Sequence, residues 1–208
     1  MFYPVYLNLT GKRVLVVGGG EVAERKIESL LGTGASIHVV SPIATSRILV
    51  LASEKRIRLH RRSYETDDCK DANCVFSATD DPAVSQAVFR DAHAAGALVN
   101  TADQPSLCDF IMPAVVRRGD IAIAISTGGA SPGLAARLRQ KIARLIGPEY
   151  GQLAQLLARR RPQILKRLPD PAERKALQYR ILDSDIMTYL KQDDIAGAER
   201  RLREIIES

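Results

Sequence analysis

The sequence predicts an α/β fold, a doubly wound parallel sheet followed by a short off-pattern segment and an α-helical C-terminal domain. Three observations point to it. Strand-like and helix-like stretches alternate through the first half of the chain. The first strand-like run breaks into three glycines and then into helix formers, VLVVGGGEVAERK from Val14 to Lys26. Beyond Gly147 strand character disappears, and the chain reads as helices punctuated by Pro148, Pro162, Pro169 and Pro171.

Val14, Leu15, Val16 and Val17 suit a strand buried on both faces, as a parallel sheet requires. Gly18, Gly19 and Gly20 let the backbone turn tightly and approach a pyrophosphate with no Cβ in the way. The helix that follows offers its free N-terminal amides to an anion. Gly18, Gly20 and Ala23 give the spacing G-x-G-x-x-A, with a small third residue for close packing of helix on strand, so the turn reads as that of a Rossmann-like dinucleotide-binding domain. Further strands are expected at residues 36–41, 57–61, 74–78 and 97–100, and helices at 21–33, 45–53 and 82–95. Gly34 and Gly96 stand where C-terminal caps belong.

Residues 110–125 read as two short strands joined at Arg118-Gly119-Asp120, outside the βα rhythm and available to pair with another chain. Ser131 and Pro132 then start a helix with Leu134, Leu138, Ile142 and Leu145 on one stripe. Asp170, Pro171 and Glu173 start another, and residues 195–206 form a last amphipathic helix. The expected domains are therefore 1–112 for nucleotide binding, 113–146 for linking or dimerisation, and 147–208 for the helical part.

Composition narrows the function. Among 208 residues, Cys69, Cys74 and Cys108 are odd in number and lack C-x-x-C spacing, while His38, His60 and His93 are scattered, so neither a disulfide framework nor a metal site is expected. The first residues carry no basic leader and no apolar run is long enough to span a bilayer, which gives a cytoplasmic protein without membrane contact as the expectation. The net charge of +6 gathers late, from Arg137, Arg139, Lys141 and Arg144 to Arg159, Arg160, Arg161, Lys166 and Arg167. That implies an acidic partner. Tryptophan is absent and no aromatics interleave with the basic residues, which argues against nucleic acid; a small polyanionic substrate serves equally well as the partner, and solvated helix faces are the structural alternative for each arginine.

In a doubly wound sheet the ligand lies beyond the carboxyl ends of the strands. The loop after the second strand, Ser41-Pro42-Ile43, lacks the acid that usually reads a ribose, and Arg47 downstream stands either as a reader of a 2′-phosphate or as a helix-surface residue. Thr79 and Asp80 follow the fourth strand, and Asp81-Pro82 reads as a helix start. After the fifth strand comes Asp103, placed to accept a proton as a hydride leaves; an Asx turn ahead of Pro105 is the structural alternative. Asp109 is the second carboxylate of that loop and suits a structural cap. Ser126, Thr127 and Gly128 ahead of a helix, with Arg137, form a candidate cradle for a substrate carboxylate or merely turn the chain.

Taken together, PVYLNLTGKRVLVVGGGEVAERK, FSATDD, NTADQPSLCDFIMPA and AISTGGASPGLAARLR resemble the precorrin-2 dehydrogenase family of siroheme biosynthesis. The resemblance covers most of the chain, without the methyltransferase half that some members carry. It implies NAD-dependent oxidation of precorrin-2 to sirohydrochlorin, and in bifunctional relatives insertion of Fe²⁺ by a ferrochelatase activity. Asp103 stands at the family's catalytic aspartate, and Glu21, Val22, Pro42 and Ile43 stand where the family holds its dinucleotide. A tetrapyrrole polycarboxylate gives the arginine-rich third a partner. The resemblance also implies a homodimer made after the nucleotide domain. A serine phosphorylated in some relatives aligns with Thr127, so that regulation is not carried over. A different class of function, an NAD-sensing regulatory dimer, would have no use for Asp103.

Overall fold

The computed structural model describes residues 2–208, which form two compact units, one ending at Met112 and one running from Pro113 to Ser208. In the first, β1 (Arg13–Val17), β2 (Ser36–Val40), β3 (Arg58–His60), β4 (Cys74–Ser77) and β5 (Leu98–Thr101) pair in parallel in the order β3-β2-β1-β4-β5. Helices α1 (Glu21–Leu30), α2 (Ser46–Ser53) and α3 (Pro82–Ala94) lie between strands in sequence. The order reverses between β1 and β4, the point at which a Rossmann-like sheet opens a crevice for its ligand.

The two-residue side-chain period divides the strands between two cores. Val14, Val16, Ile37, Val39 and Phe76 pack with Ile27 and Leu30 of α1 and Ile48 and Leu51 of α2. Leu15, Val17, Val40, Val75 and Val99 pack with Val88 and Ala92 of α3. These side chains are buried, the valines, leucines, isoleucines and Phe76 each contributing about 1.5–3 kcal/mol, and this double burial explains why the strands show no polar alternation.

Helix ends follow the capping residues. Asp81 accepts the amides of Ala83 and Val84 at 2.8 and 3.3 Å, which makes it the N-cap of α3. At the other end Gly96 takes φ 73°, its amide donates to His93 O, and Ala97 N donates to Ala92 O, a Schellman termination. Helix α1 is shorter than its pattern suggests. It stops at Leu30, and Gly32 and Gly34, at φ 84° and 77°, turn the chain before β2.

Strand β5 is a sheet edge, yet its outward backbone groups are occupied. Val99 N donates to the Asp109 carboxylate at 2.8 Å and Asp109 N donates back to Val99 O at 2.8 Å. Thr101 N donates to Cys108 Sγ, and that thiol donates to Thr101 O, each at 3.2 Å. The returning loop thus covers the edge without adding a strand.

His38 of β2 is buried and stacks on His60 at 6.1 Å; burial first, then Arg13 and Arg58, pull its pKa down from 6.5 to about 4. The unfolded chain therefore binds a proton that the folded chain refuses. The stability this contributes is complete above about pH 6.5 and is lost toward pH 4, on the order of 3 kcal/mol in all. His38→Gln is expected to flatten the pH dependence of the urea midpoint in that window, and a parent-like slope would disprove the assignment.

In the second unit β6 (Ala114–Arg118) and β7 (Ile121–Ile125) form an antiparallel hairpin, with Arg118 opposite Ile121 and Gly119 at φ 56° in the tight turn. Residues 110–113 fall outside the strand, where Pro113 withholds an amide. Helix α4 (Pro132–Leu145) starts at Ser131, whose Oγ accepts Leu134 N at 3.2 Å. Its inward residues are Ala135, Ile142 and Ala143. The stripe read from the sequence is otherwise turned out: Leu134, Leu138 and Leu145 are 50%, 36% and 73% exposed.

Helices α5 (Pro148–Arg167), α6 (Pro171–Leu182), α7 (Ile186–Lys191) and α8 (Ile195–Glu207) enclose Leu153, Leu156, Leu177, Ile181, Ile186 and Leu202. Pro162 lies within α5 instead of ending it. Its missing amide costs about 3 kcal/mol, offset because Leu153 and Leu156 before it and Ile164 after it pack on the same core. Among the described residues no helix is long and apolar enough to cross a membrane.

Candidate active site

At the switch point three loops meet backbone to backbone. Gly18 N donates to Val40 O at 2.9 Å, and Thr45 N donates to Gly19 O at 2.9 Å. A Cβ on Gly18, which sits at φ 119°, would lie 2.1 Å from Ala78 O; one on Gly19 would lie 2.1 Å from Ile43 O. Both glycines are thus required by the protein itself. Gly20 differs: a Cβ there meets open space, and it caps α1 with no side-chain hydrogen bond. The first amides of α1 are left for a ligand.

The neighbouring candidates surround this turn. Glu21 is exposed and Val22 half-buried at the start of α1. Ser41 is buried, its Oγ donating to Ile43 O at 2.7 Å, while Pro42 and Ile43 are exposed. Thr45 caps α2 and donates to Glu24 at 2.5 Å, which ties that loop to α1. Arg47 pairs with Glu28 at 3.3 Å and stands on the helix surface. After β4, Thr79 Oγ1 accepts Asp81 N at 3.3 Å, and Asp80 is exposed without a hydrogen bond among the described residues.

The loop after β5 has two carboxylates in different states. Asp109 is structural, accepting from Val99 N and meeting His93 Nε2 at 3.0 Å. Asp103 is exposed, its carboxylate makes no hydrogen bond among the described residues, and its backbone is held at φ 56°. The Asx turn is therefore not formed. Aspartate tolerates this left-handed conformation better than most residues, but it still costs about 1 kcal/mol or more.

Sequence reasoning missed Lys26. Its Nζ donates to Asn100 Oδ1 at 2.6 Å and lies 5.2 Å from the centroid of the Phe76 ring, half-buried on the sheet-facing side of α1. The signal was available: Lys26 shares a helical face with Ala23, Ile27 and Leu30, all buried, which a surface lysine would not.

The remaining candidates belong to the second unit. Ser126 Oγ accepts Gly128 N at 3.0 Å, and Thr127 Oγ1 both accepts Ser131 N and donates to Ser131 O at 3.1 Å. Gly128 and Gly129, at φ 62° and 90°, complete the turn before α4, and Arg137 is exposed on that helix. Among the described residues no three His, Cys, Asp or Glu side chains are grouped to hold a metal ion.

Known proteins share this arrangement. Residues 5–114 match the family described as putative NAD(P)-binding, 118–145 the sirohaem biosynthesis protein central region, and 149–206 the sirohaem synthase dimerisation region. The last match falls on the helical part, whereas the sequence reading assigns pairing to 113–146. The chain is 39% identical over 203 residues to a siroheme synthase of Methylococcus capsulatus, covering 98% of this chain and 43% of that protein. It is 37% identical over 208 residues to that of Nitrosomonas europaea, covering 100% and 44%. The chain thus spans less than half the length of the curated relatives it matches. The solved structure of SirC, precorrin-2 dehydrogenase, is similar with a TM-score of 0.78 at 30% identity, over 98% of this chain and 100% of that one.

Proposed function

The chain belongs to the precorrin-2 dehydrogenase and siroheme synthase family, and on that premise we propose that it oxidises precorrin-2 to sirohydrochlorin with NAD. The observation that carries this reading is Asp103, an exposed carboxylate without a hydrogen bond among the described residues, held at φ 56° just beyond the carboxyl end of β5.

The cradle fits a dinucleotide, since uncapped amides begin α1 and nothing fills the space beside Gly20. When bound, NAD supplies the hydride acceptor. Gly18 and Gly19 hold the turn, while Gly20, Glu21 and Val22 receive the pyrophosphate. Ser41, Pro42 and Ile43 line the adenosine side, and Thr79 and Asp80 the side toward the nicotinamide. Asp103 takes the proton released at the substrate carbon, a role generally worth about 10²–10⁴ in rate. Ser126, Gly128 and Arg137 meet substrate carboxylates, Arg137 through its planar fork of donors, while Thr127, whose hydroxyl is spent on Ser131, holds the turn.

Residues 1–112 form the nucleotide domain of this reading, 113–146 the link and 147–208 the helical domain. The protein acts as a homodimer in the cytoplasm, the dimeric part of this reading being supported by the match to the dimerisation region. Insertion of Fe²⁺ into the product is its further step, in which Asp103 takes pyrrole protons.

Anaerobic incubation with precorrin-2 and NAD⁺ is expected to yield NADH and sirohydrochlorin together. Absence of NADH above background would sink the oxidation. Fe²⁺ or Co²⁺ added afterward tests insertion by itself, which fails if the rate matches that without protein.

A further inference from the structure

The loop after β2 lacks the acid that fixes a ribose 2′-hydroxyl and turns a 2′-phosphate away. Ser41 holds that place, and its hydroxyl is spent on Ile43 O at 2.7 Å. Pro42 and Ile43 are exposed and bring no charge. The two carboxylates that α1 sends toward this loop, Glu24 and Glu28, are taken by Thr45 and Arg47. That second pair also neutralises Arg47, the cation nearest in sequence. A phosphate here meets no free acid from β2 or from these partners, and no help from Arg47.

A free cation stands on the other side. Residues 55–62 read KRIRLHRR, a basic run carried by β3 and the turns around it. Arg58 suits an edge strand, where charge discourages the approach of other strands. Arg61 is not explained that way, since it lies beyond His60, the last paired residue of β3. The backbone fixes its position: Ser41 N donates to His60 O at 3.1 Å, and Arg62 N donates to the same oxygen at 3.0 Å. The chain therefore turns at Arg61 directly beside the place of the missing acid, at the carboxyl end of the sheet. Arg62 is committed to Asp68 at 2.6 and 2.8 Å. Arg61 is exposed and makes no hydrogen bond or ion pair among the described residues.

We propose that the site admits NADP⁺ as well as NAD⁺, and that Arg61 reads the 2′-phosphate. The inference deepens the dinucleotide reading of the glycine turn and rests on it. A guanidinium presents a phosphate with two parallel N–H donors, which suits one exposed arginine to the task.

Calorimetric titration of the whole chain is expected to give NADP⁺ a Kd within about tenfold of that of NAD⁺ at low salt. Added salt widens the ratio, because an exposed charge pair is screened. Arg61→Ala is expected to weaken NADP⁺ about tenfold or more and NAD⁺ less than about twofold, with Tm unchanged, since the side chain is exposed. Arg61→Lys keeps the charge and retains part of the affinity. Adenosine 2′,5′-bisphosphate set against adenosine 5′-monophosphate repeats the comparison without the nicotinamide half. A wider gap between the two dinucleotides at low salt would overturn the admission of NADP⁺. Equal losses of both in Arg61→Ala, or no loss of NADP⁺, would overturn the role of Arg61. If neither dinucleotide binds the parent, the reading of the glycine turn falls first and this inference with it.

Discussion

A Gly18→Ala chain is expected to melt roughly 5–15 °C lower than its parent and to lose dinucleotide binding. Two costs combine. Alanine at φ 119° is strained by about 1–3 kcal/mol, and its Cβ meets Ala78 O at 2.1 Å and the attached carbonyl carbon at 2.7 Å. Those atoms follow the interior strand β4, so they cannot yield as a flexible side chain would, and overpacking of this kind costs about another 1–3 kcal/mol. Gly20→Ala is the internal contrast. It is expected to melt like the parent, because its Cβ meets nothing in the protein, yet to bind NAD about tenfold more weakly, because the Cβ intrudes where a phosphate approaches. Thermal melts and calorimetric titration with NAD separate the two effects. A Gly18→Ala protein that melts and binds like the parent would contradict the close approach of the β1 and β4 loops.

Asp103→Asn is expected to reduce NADH formation by about 10²–10⁴ while NAD affinity and Tm stay at parental values. Asparagine tolerates the left-handed backbone that this position adopts, so the substitution removes the proposed base and spares the loop. Asp103→Ala would add a backbone penalty of about 1 kcal/mol, so the asparagine variant is the cleaner test. Single-turnover measurement of NADH with saturating precorrin-2 reads the chemical step. A rate within about threefold of the parent would assign the proton to another group or to water.

What the sequence disclosed follows from where local chemistry dominates. The parallel strands were legible because burial on both faces admits only continuous apolar runs, as at Val14 to Val17. Asp81, Ser131 and Asp170 were legible as caps because each side chain closes a hydrogen bond within three residues of itself. The outward turn of Leu134, Leu138 and Leu145 was not legible, since periodicity reveals a stripe and not which side is covered. Pro162 misled for a related reason: a local rule yielded to the core that both halves of α5 share. At the site, the glycine turn and Asp103 were visible in the spacing and the loop order. For Lys26 the sequence shows the inward face it shares with Ala23, Ile27 and Leu30 but not its partner, because Asn100 lies in a strand far along the chain and only the fold brings them together. The division of labour between Asp103 and Asp109 likewise depended on which carboxylate finds the free amide of Val99.

That hydrogen bond has a consequence for how the protein behaves in a crowded solution. An uncovered parallel edge invites strands from other molecules, and β5 escapes this because Cys108 and Asp109 already occupy its outward amides and carbonyls. The same loop carries Asp103 a few residues earlier. Opening it widely to admit a large substrate would uncover an adhesive edge, so its excursions have to stay small. Resistance to aggregation thus sets an upper limit on the mobility of the loop that carries Asp103, and variants that loosen Cys108 or Asp109 are expected to aggregate before they lose activity.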